Sequence, residues 1–183
     1  MLNTFVVYVE NKPGVLTRVA SLFRRRAFNI DSLTVGRTDK PEVSRMTITV
    51  EADHDQALRI EANLYKLVNV LVVENITDQP VISRDLAMIK VAATHGHRSH
   101  VLELAQVFRA RVVDVGADSL IIEITGDEDK IDGLLEVLRP YGILEMVRTG
   151  IVAMRRGSKP SSVARAMSNM TELAGDGDVQ QSV

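Results

Sequence analysis

The chain has 183 residues, of which 45% are hydrophobic and 25% are charged, and its formal net charge is −2. Such a chain forms one large or two small domains with packed cores, and its near-neutral charge gives no overall attraction to nucleic acid or to an acidic membrane. The absence of cysteine excludes disulfides, cysteine nucleophiles and thiolate metal sites; because no apolar stretch is long enough to span a bilayer and no secretory signal pattern opens the chain, we expect a cytoplasmic protein.

The first half of the chain predicts the element order βαββαβ. An apolar run ends near Pro13 and Gly14 and passes into a helix, and a second apolar helical stripe follows Asp53 and Asp55, either of which is a suitable cap. The predicted strands cover residues 3–10, 30–38, 45–50 and 70–76, and the predicted helices cover 15–23 and 57–68. This order is typical of the ferredoxin-like arrangement, in which two helices cover one face of an antiparallel sheet.

The same order returns in the second half, with little residue identity between the copies. Its predicted strands cover residues 86–93, 112–115, 120–125 and 143–154, and its helices cover 99–110 and 131–138. From Gly157 the composition changes to Ser, Lys, Pro, Gly and Asp, which is typical of disorder. We therefore predict an α+β protein with the following parts: a ferredoxin-like domain at 1–77, a linker at 78–84, a second ferredoxin-like domain at 85–157 and a disordered tail at 158–183.

A pocket for a small amino acid is predicted where the first strand meets the first helix. Pro13 fixes its own φ, and Gly14 lets the backbone turn tightly and approach a ligand. The helix then begins at Val15 with free N–H groups and a positive dipole end, which suit a carboxylate. Asn11 and Asn29 carry amides that both donate and accept, as an α-amino acid requires. For an isolated segment the alternative is a simple turn with capping asparagines.

Three histidines, His95, His97 and His100, lie just before and at the start of a predicted helix. Their spacing offers two or three imidazoles to a metal ion. No carboxylate or second ligand cluster accompanies them, however, and a zinc site needs a complete set of ligands. We therefore predict no metal site and interpret these residues as solvated loop histidines.

The sequence contains no recognisable catalytic centre, because the G-x-S-x-G, Walker A and G-x-G-x-x-G patterns are absent. Residues 127–133 superficially match a calcium loop, but Ile131 occupies a ligand position, so we predict a capped helix there. The basic run at 24–26 lies at a predicted helix end, where positive charge offsets the dipole, and predicts no nucleic-acid patch. Three methionines in strands are predicted to lie in the core: Met46, Met88 and Met154.

The chain also carries several blocks of residues whose joint occurrence is more specific than any one motif. These blocks lie at 10–19, 22–23, 29–35, 44–48, 66–68, 84–91, 108–110 and 148–157. Together, over about residues 1–157, they resemble the regulatory small subunit of acetolactate synthase, also called acetohydroxyacid synthase. This resemblance favours an effector pocket at Gly14 over a simple turn.

The resemblance implies that residues 1–77 are an ACT domain, which is ferredoxin-like, forms a homodimer and binds the effector. It implies a subunit without an active site or cofactor that activates a catalytic large subunit, on which thiamine diphosphate, Mg and FAD are expected. That enzyme condenses two pyruvates, or pyruvate with 2-oxobutyrate. It further implies feedback inhibition by branched-chain amino acids, chiefly valine. Carried over by position, the valine-binding residues are Asn11, Gly14, Val15 and Leu16 of one chain with Asn29 and Ile30 of the other.

Two alternatives of other classes are compatible with the same patterns. The first is a stand-alone ACT-domain amino-acid sensor that acts on another enzyme or on transcription, although the chain has no predicted helix-turn-helix. The second is a small enzyme with a ferredoxin-like active site that uses His95, His97 or His100. Turnover without any partner protein distinguishes this enzyme from the other two functions. For the regulatory subunit that the resemblance implies, we expect neither nucleic acid nor a membrane as a partner.

Overall fold

The computed structural model describes residues 1–94 and 96–157. The chain divides into two compact units, of which the first contains Met1–Val81 and the described residues from 155 onward, and the second contains Ile82–Met154. His95 and the predicted tail at 158–183 lie outside the described residues.

The first unit is a four-stranded antiparallel sheet covered by two helices. Its elements are β1 (Leu2–Glu10), α1 (Val15–Arg25), β2 (Ile30–Arg37), β3 (Val43–Glu51), α2 (His54–Leu64) and β4 (Val70–Asn75). The strands lie in the order β2-β3-β1-β4, with antiparallel pairing throughout. Alternate residues of β1 and β3 pack against α1 and α2. The large, fully buried side chains of this core are Phe5, Phe23, Met46, Ile48, Ile60 and Leu64. Burying each of them contributes about 1.5–3 kcal/mol.

The second unit repeats this order. Its elements are β5 (Val81–Ala92), α3 (Arg98–Val107), β6 (Arg111–Val115), β7 (Ser119–Gly126), α4 (Glu128–Leu138), β8 (Ile143–Arg148) and β9 (Val152–Arg155). The sheet order is β6-β7-β5-β8, and β9 also pairs with β5. Ile89, Ile122 and Ile131 are fully buried in its core. The predicted α+β class with two ferredoxin-like βαββαβ domains is therefore confirmed.

Two helix starts show the predicted capping chemistry. Asp53, rather than Asp55, caps α2, because its carboxylate accepts from the Gln56 N–H at 2.8 Å while the Gln56 side chain accepts from the Asp53 N–H. Asp127 caps α4 by accepting from the Lys130 N–H at 3.1 Å. The capped helix predicted in place of a calcium loop is confirmed. The Ile131 side chain has no oxygen that could coordinate calcium, and it is buried in the core of the second unit.

The predicted strand at 143–154 is wrong as a single element. It is interrupted between Arg148 and Val152, where Gly150 has a φ of +84° and redirects the backbone. The strand predicted from residue 86 instead begins at Val81, inside the segment predicted to be a linker. The reason is a partner that local sequence does not reveal: β9 pairs with this part of β5, and the Arg156 N–H donates to the Pro80 carbonyl at 2.8 Å.

The methionine prediction is correct at one position only. Met46 of β3 is buried in the core of the first unit, whereas Met88 is 41% exposed and Met154 is 69% exposed. Both exposed residues lie in strands, so strand formation was predicted correctly and the buried face was not. An apolar side chain in a strand reaches the core only when its face of the sheet is covered.

Candidate functional site

The corner between β1 and α1 is built around Gly14. This residue has a φ of +80° and occupies the cap position of α1. A left-handed backbone is disfavoured for residues with a Cβ, so glycine fits the conformation. Glycine also brings no side chain to cap the helix, and the first turn of α1 contains no acidic residue.

The first turn of α1 therefore retains free donors. Within the described part of the chain, the N–H groups of Leu16 and Thr17 donate to no acceptor, and that of Val15 has a long 3.4 Å bond to the Lys12 carbonyl. Helix α2, by contrast, has its cap at Asp53. Unpaired amides at the positive end of a helix dipole favour a carboxylate or another small anion.

Asn11 fixes the other side of the corner. Its backbone N–H donates to the Glu42 carbonyl at 2.7 Å, and its side-chain Nδ2 donates to the Pro41 carbonyl at 2.8 Å. Both acceptors lie in the turn between β2 and β3, so the corner is attached to that hairpin. The Asn11 side chain is exposed, and its Oδ1 accepts no hydrogen bond from any described residue. This oxygen remains available to a cationic donor.

Val15 and Leu16 differ in burial although they are adjacent. The Val15 side chain is only 4% exposed and packs in the first core, so its backbone is what it offers to the corner. Leu16 is 44% exposed on the first turn of α1. An exposed leucine beside unpaired amides provides an apolar contact next to an anion-binding group.

Asn29 and Ile30 lie at the opposite end of the same sheet. Strands β1 and β2 both pair antiparallel with β3 and therefore run parallel to each other. Val9 and Arg37 both pair with Ser44 at the corner end, whereas Ile30 pairs with Val50 at the far end. An eight-residue strand at about 3.3 Å per residue separates the two ends by roughly 23 Å. One chain therefore brings the four corner residues together but not Asn29 and Ile30.

A polar network beside the corner was not predicted from the sequence. The Asn69 side chain donates from Nδ2 to the Glu10 carboxylate and accepts at Oδ1 from the Arg18 guanidinium. The Asn69 carbonyl also accepts from the Glu10 N–H at 2.9 Å. The hydrogen bond from Asn69, followed by one from Lys12, lowers the pKa of Glu10 below its ordinary value. Glu10 and Arg18 lie within the block at 10–19, but no local pattern connects them to Asn69.

The histidines do not assemble a metal site in the described residues. His97 precedes α3, and its ring lies edge-on to Tyr141 with 5.8 Å between the ring centroids. His100 is exposed within α3. In residues 1–94 and 96–157, no group of three histidine, aspartate or glutamate side chains is arranged to hold a metal ion.

The second unit contains a charge cluster around one buried carboxylate. Asp85, 4% exposed, accepts from Arg148 Nε at 2.8 Å and from the Thr149 hydroxyl at 3.0 Å, while Arg148 Nη1 also donates to Asp132 at 3.0 Å. Burial opposes the charge of Arg148, but the hydrogen bond and charge of Asp85 outweigh it and raise the pKa of the guanidinium. Arg148 at the end of β8 thus binds Asp85 of β5 and Asp132 of α4, so the cluster stabilises the packing of these three elements.

Comparisons with known proteins identify the family. Residues 5–72 match the family model described as the AHAS small subunit-like ACT domain, and residues 84–157 match that of the small subunit of acetolactate synthase. The probable acetolactate synthase small subunit of Archaeoglobus fulgidus is 52% identical over 159 residues, covering 87% of this chain and 99% of the relative. The chain belongs to the acetolactate synthase small-subunit family. The acetolactate synthase small subunit of Mycobacterium leprae is 49% identical over 164 residues, covering 89% of this chain and 96% of the relative.

A solved structure within the acetolactate synthase small-subunit family supports the fold. The crystal structure of the small subunit from Thermotoga maritima matches with a TM-score of 0.80 at 37% identity, covering 87% of this chain and 99% of that chain. The resemblance inferred from the sequence blocks is thereby confirmed. Among the described residues, no helix combines the length and apolar character that crossing a membrane requires.

Proposed function

We propose that this protein is the regulatory subunit of acetolactate synthase, that it activates the catalytic large subunit, and that valine acts through it as a feedback inhibitor. Family membership supports a role beside a larger partner. In this proposal the large subunit performs the chemistry with thiamine diphosphate, Mg and FAD, and both subunits work in the cytoplasm. The small subunit contributes binding sites rather than catalysis.

The observation that carries the proposal is the uncapped start of α1. A free amino acid has a carboxylate, which can accept hydrogen bonds from the backbone N–H groups of Leu16 and Thr17. It also has an ammonium group, which can donate to the Asn11 Oδ1. The exposed side chain of Leu16 provides an apolar contact for a branched side chain. Valine has all three of these groups.

A homodimer completes this site. Strand β2 lies at the edge of its sheet, and two copies that pair their β2 strands antiparallel about a two-fold axis place the start of one β2 beside the end of the other. Asn29 and Ile30 of the second copy then approach the corner of the first copy. Two identical shared sites result. In each site, Asn29 and Ile30 come from one chain, and its partner contributes the four corner residues, which are Asn11, Gly14, Val15 and Leu16.

Inhibition then follows from unequal binding. Valine inhibits if it binds more tightly to a dimer arrangement that activates the large subunit poorly than to one that activates it well. Equal affinity for both arrangements shifts nothing, however tight the binding. A coupling free energy of about 1–3 kcal/mol is typical of such regulation.

The test is acetolactate formation by the purified large subunit, alone and with this protein, while valine is titrated. The proposal predicts that the protein raises the rate and that valine reverses the increase. If the rate and its valine response are unchanged while valine still binds the protein, a stand-alone sensor for another target explains the chain better.

A further inference from the structure

We propose that Asn69 is a positioning residue for the corner formed by Asn11, Gly14, Val15 and Leu16. Its side chain fixes the first turn of α1 relative to the end of β1 and does not touch the ligand. This inference rests on the proposed function, because it concerns the same valine site. It assigns a role to a residue outside the corner itself and outside the sequence blocks typical of the family.

Each arm of the Asn69 network ends beside a residue of the corner between β1 and α1. Asn69 donates to the carboxylate of Glu10, whose neighbour in the chain is Asn11. It accepts from the guanidinium of Arg18, whose neighbour is Thr17. The Glu10 arm therefore ends one residue before Asn11, whose side chain faces the proposed ligand. The Arg18 arm ends one residue after Thr17, whose backbone N–H is free.

The side-chain contacts add to the backbone hydrogen bond that the Glu10 N–H donates to the Asn69 carbonyl at 2.9 Å, and the contact with Arg18 extends this connection to α1. Asn69 lies 59 positions after Glu10 and 51 positions after Arg18 in the chain. The first turn of α1 has no capping side chain, so a hydrogen bond to Arg18 is a means of fixing its direction. Valine needs the N–H donors of α1 and the Asn11 Oδ1 acceptor at a fixed separation, because they bind its two charged groups. Loss of the Asn69 side chain therefore weakens binding without removing any group that contacts the ligand.

The chain offers a matched control at the opposite end of α1. Asn63 accepts from Arg26 Nη2 at 3.3 Å, where Arg26 caps the C-terminal end of that helix. Asn63→Ala thus removes the same type of asparagine–arginine bond from the same helix, far from Gly14. A general loosening of α1 affects both variants, whereas positioning of the corner affects only Asn69→Ala.

The experiment is calorimetric titration of the full chain with valine, with thermal unfolding measured on each variant. Asn69→Ala is expected to weaken valine binding about tenfold, and Asn63→Ala to change it less than about twofold. Wild-type affinity in Asn69→Ala, or equal loss in both variants, overturns the positioning role. Absence of valine binding by the wild-type protein instead overturns the proposed function, so the two failures are distinct.

Conservative replacement of Glu10 separates positioning from a simple loss of stability. Glu10→Gln keeps an oxygen that accepts from Asn69 and should retain valine affinity, whereas Glu10→Ala should lose about tenfold. The double variant Glu10→Ala with Asn69→Ala should bind no more weakly than Asn69→Ala alone, because both changes break one bridge. Additive losses in the double variant would contradict the bridge.

Discussion

Asn11 and Asn29 lie at opposite ends of one sheet, although the proposed valine site contains both of them. Their separation follows from topology, since β1 and β2 are parallel neighbours of β3 and Asn11 follows the end of β1 while Asn29 precedes the start of β2. Any small ligand that contacts both asparagines therefore takes them from two chains. The homodimer is thus a requirement of the proposed site.

Asn29→Ala should raise the valine concentration needed for half-maximal inhibition. The variant loses amide hydrogen bonds to the ligand, each worth about 0.5–1.5 kcal/mol, which corresponds to a loss of up to about tenfold. The measurement is a valine titration of the reconstituted holoenzyme, and stimulation without valine on the same preparation shows that the subunits still associate. Unchanged inhibition would count against Asn29 as a ligand residue.

Gly14→Ala should destabilise the first unit through backbone strain alone. A Cβ at this position meets nothing within 4 Å, but the residue has a φ of +80°, and the left-handed conformation costs about 1–2 kcal/mol with a side chain. Urea unfolding measures the difference. Gly36→Ala is the control, because its Cβ also meets open space and its φ is not positive. Equal effects of the two changes would exclude strain as the cause.

Asp85→Asn should destabilise the second unit by about 2–3 kcal/mol, less than the full cost of breaking a buried ion pair because Arg148 keeps Asp132. Asp132→Asn removes a carboxylate from the same guanidinium, but this side chain is 55% exposed against 4% for Asp85, so its loss should cost less than about 1 kcal/mol. Denaturant unfolding of both variants tests the ranking, and a larger loss in Asp132→Asn would reverse our assignment of the buried partner.

The pKa of Glu10 should depend on Asn69. The hydrogen bond from Asn69 lowers this pKa below 4.5, with a further contribution from Lys12, so the folded state favours the carboxylate. The stabilisation is fully present above the unfolded pKa and is lost as the pH falls below about 4.5 toward the folded pKa. Carboxyl NMR titration should show the Glu10 midpoint rising in Asn69→Ala. The same midpoint in both proteins would mean that the hydrogen bond is not formed in solution.

Features with a local physical cause were predicted well from the sequence. The helix after Gly14, the cap at Asp127 and the repeated strand and helix order follow from apolar spacing and from residue types at helix ends. Features that depend on distant partners were not predicted. The Glu10 and Asn69 contact joins residues 59 apart, and the exposure of Met88 depends on which face of a sheet is covered. The amide chemistry of Asn29 favours a place in an amino-acid pocket, but its role as a valine contact from the partner chain rests on the resemblance to the family and stays a prediction.

The proposed sharing of one valine site between two chains is tested most directly with mixed subunits. Asn11→Ala and Asn29→Ala proteins each carry only damaged sites. When they are mixed and allowed to exchange, about half of the dimers contain one chain of each kind. Each such dimer has one site with both changes and one intact site, because the intact corner and the intact Asn29 meet across the interface.

The measurement is valine inhibition of acetolactate formation by the large subunit reconstituted with each variant alone and with the exchanged mixture. Our account predicts weak inhibition with either variant and restored high-affinity inhibition of part of the activity with the mixture. A mixture that is no more sensitive to valine than its two components would contradict a site built from both chains.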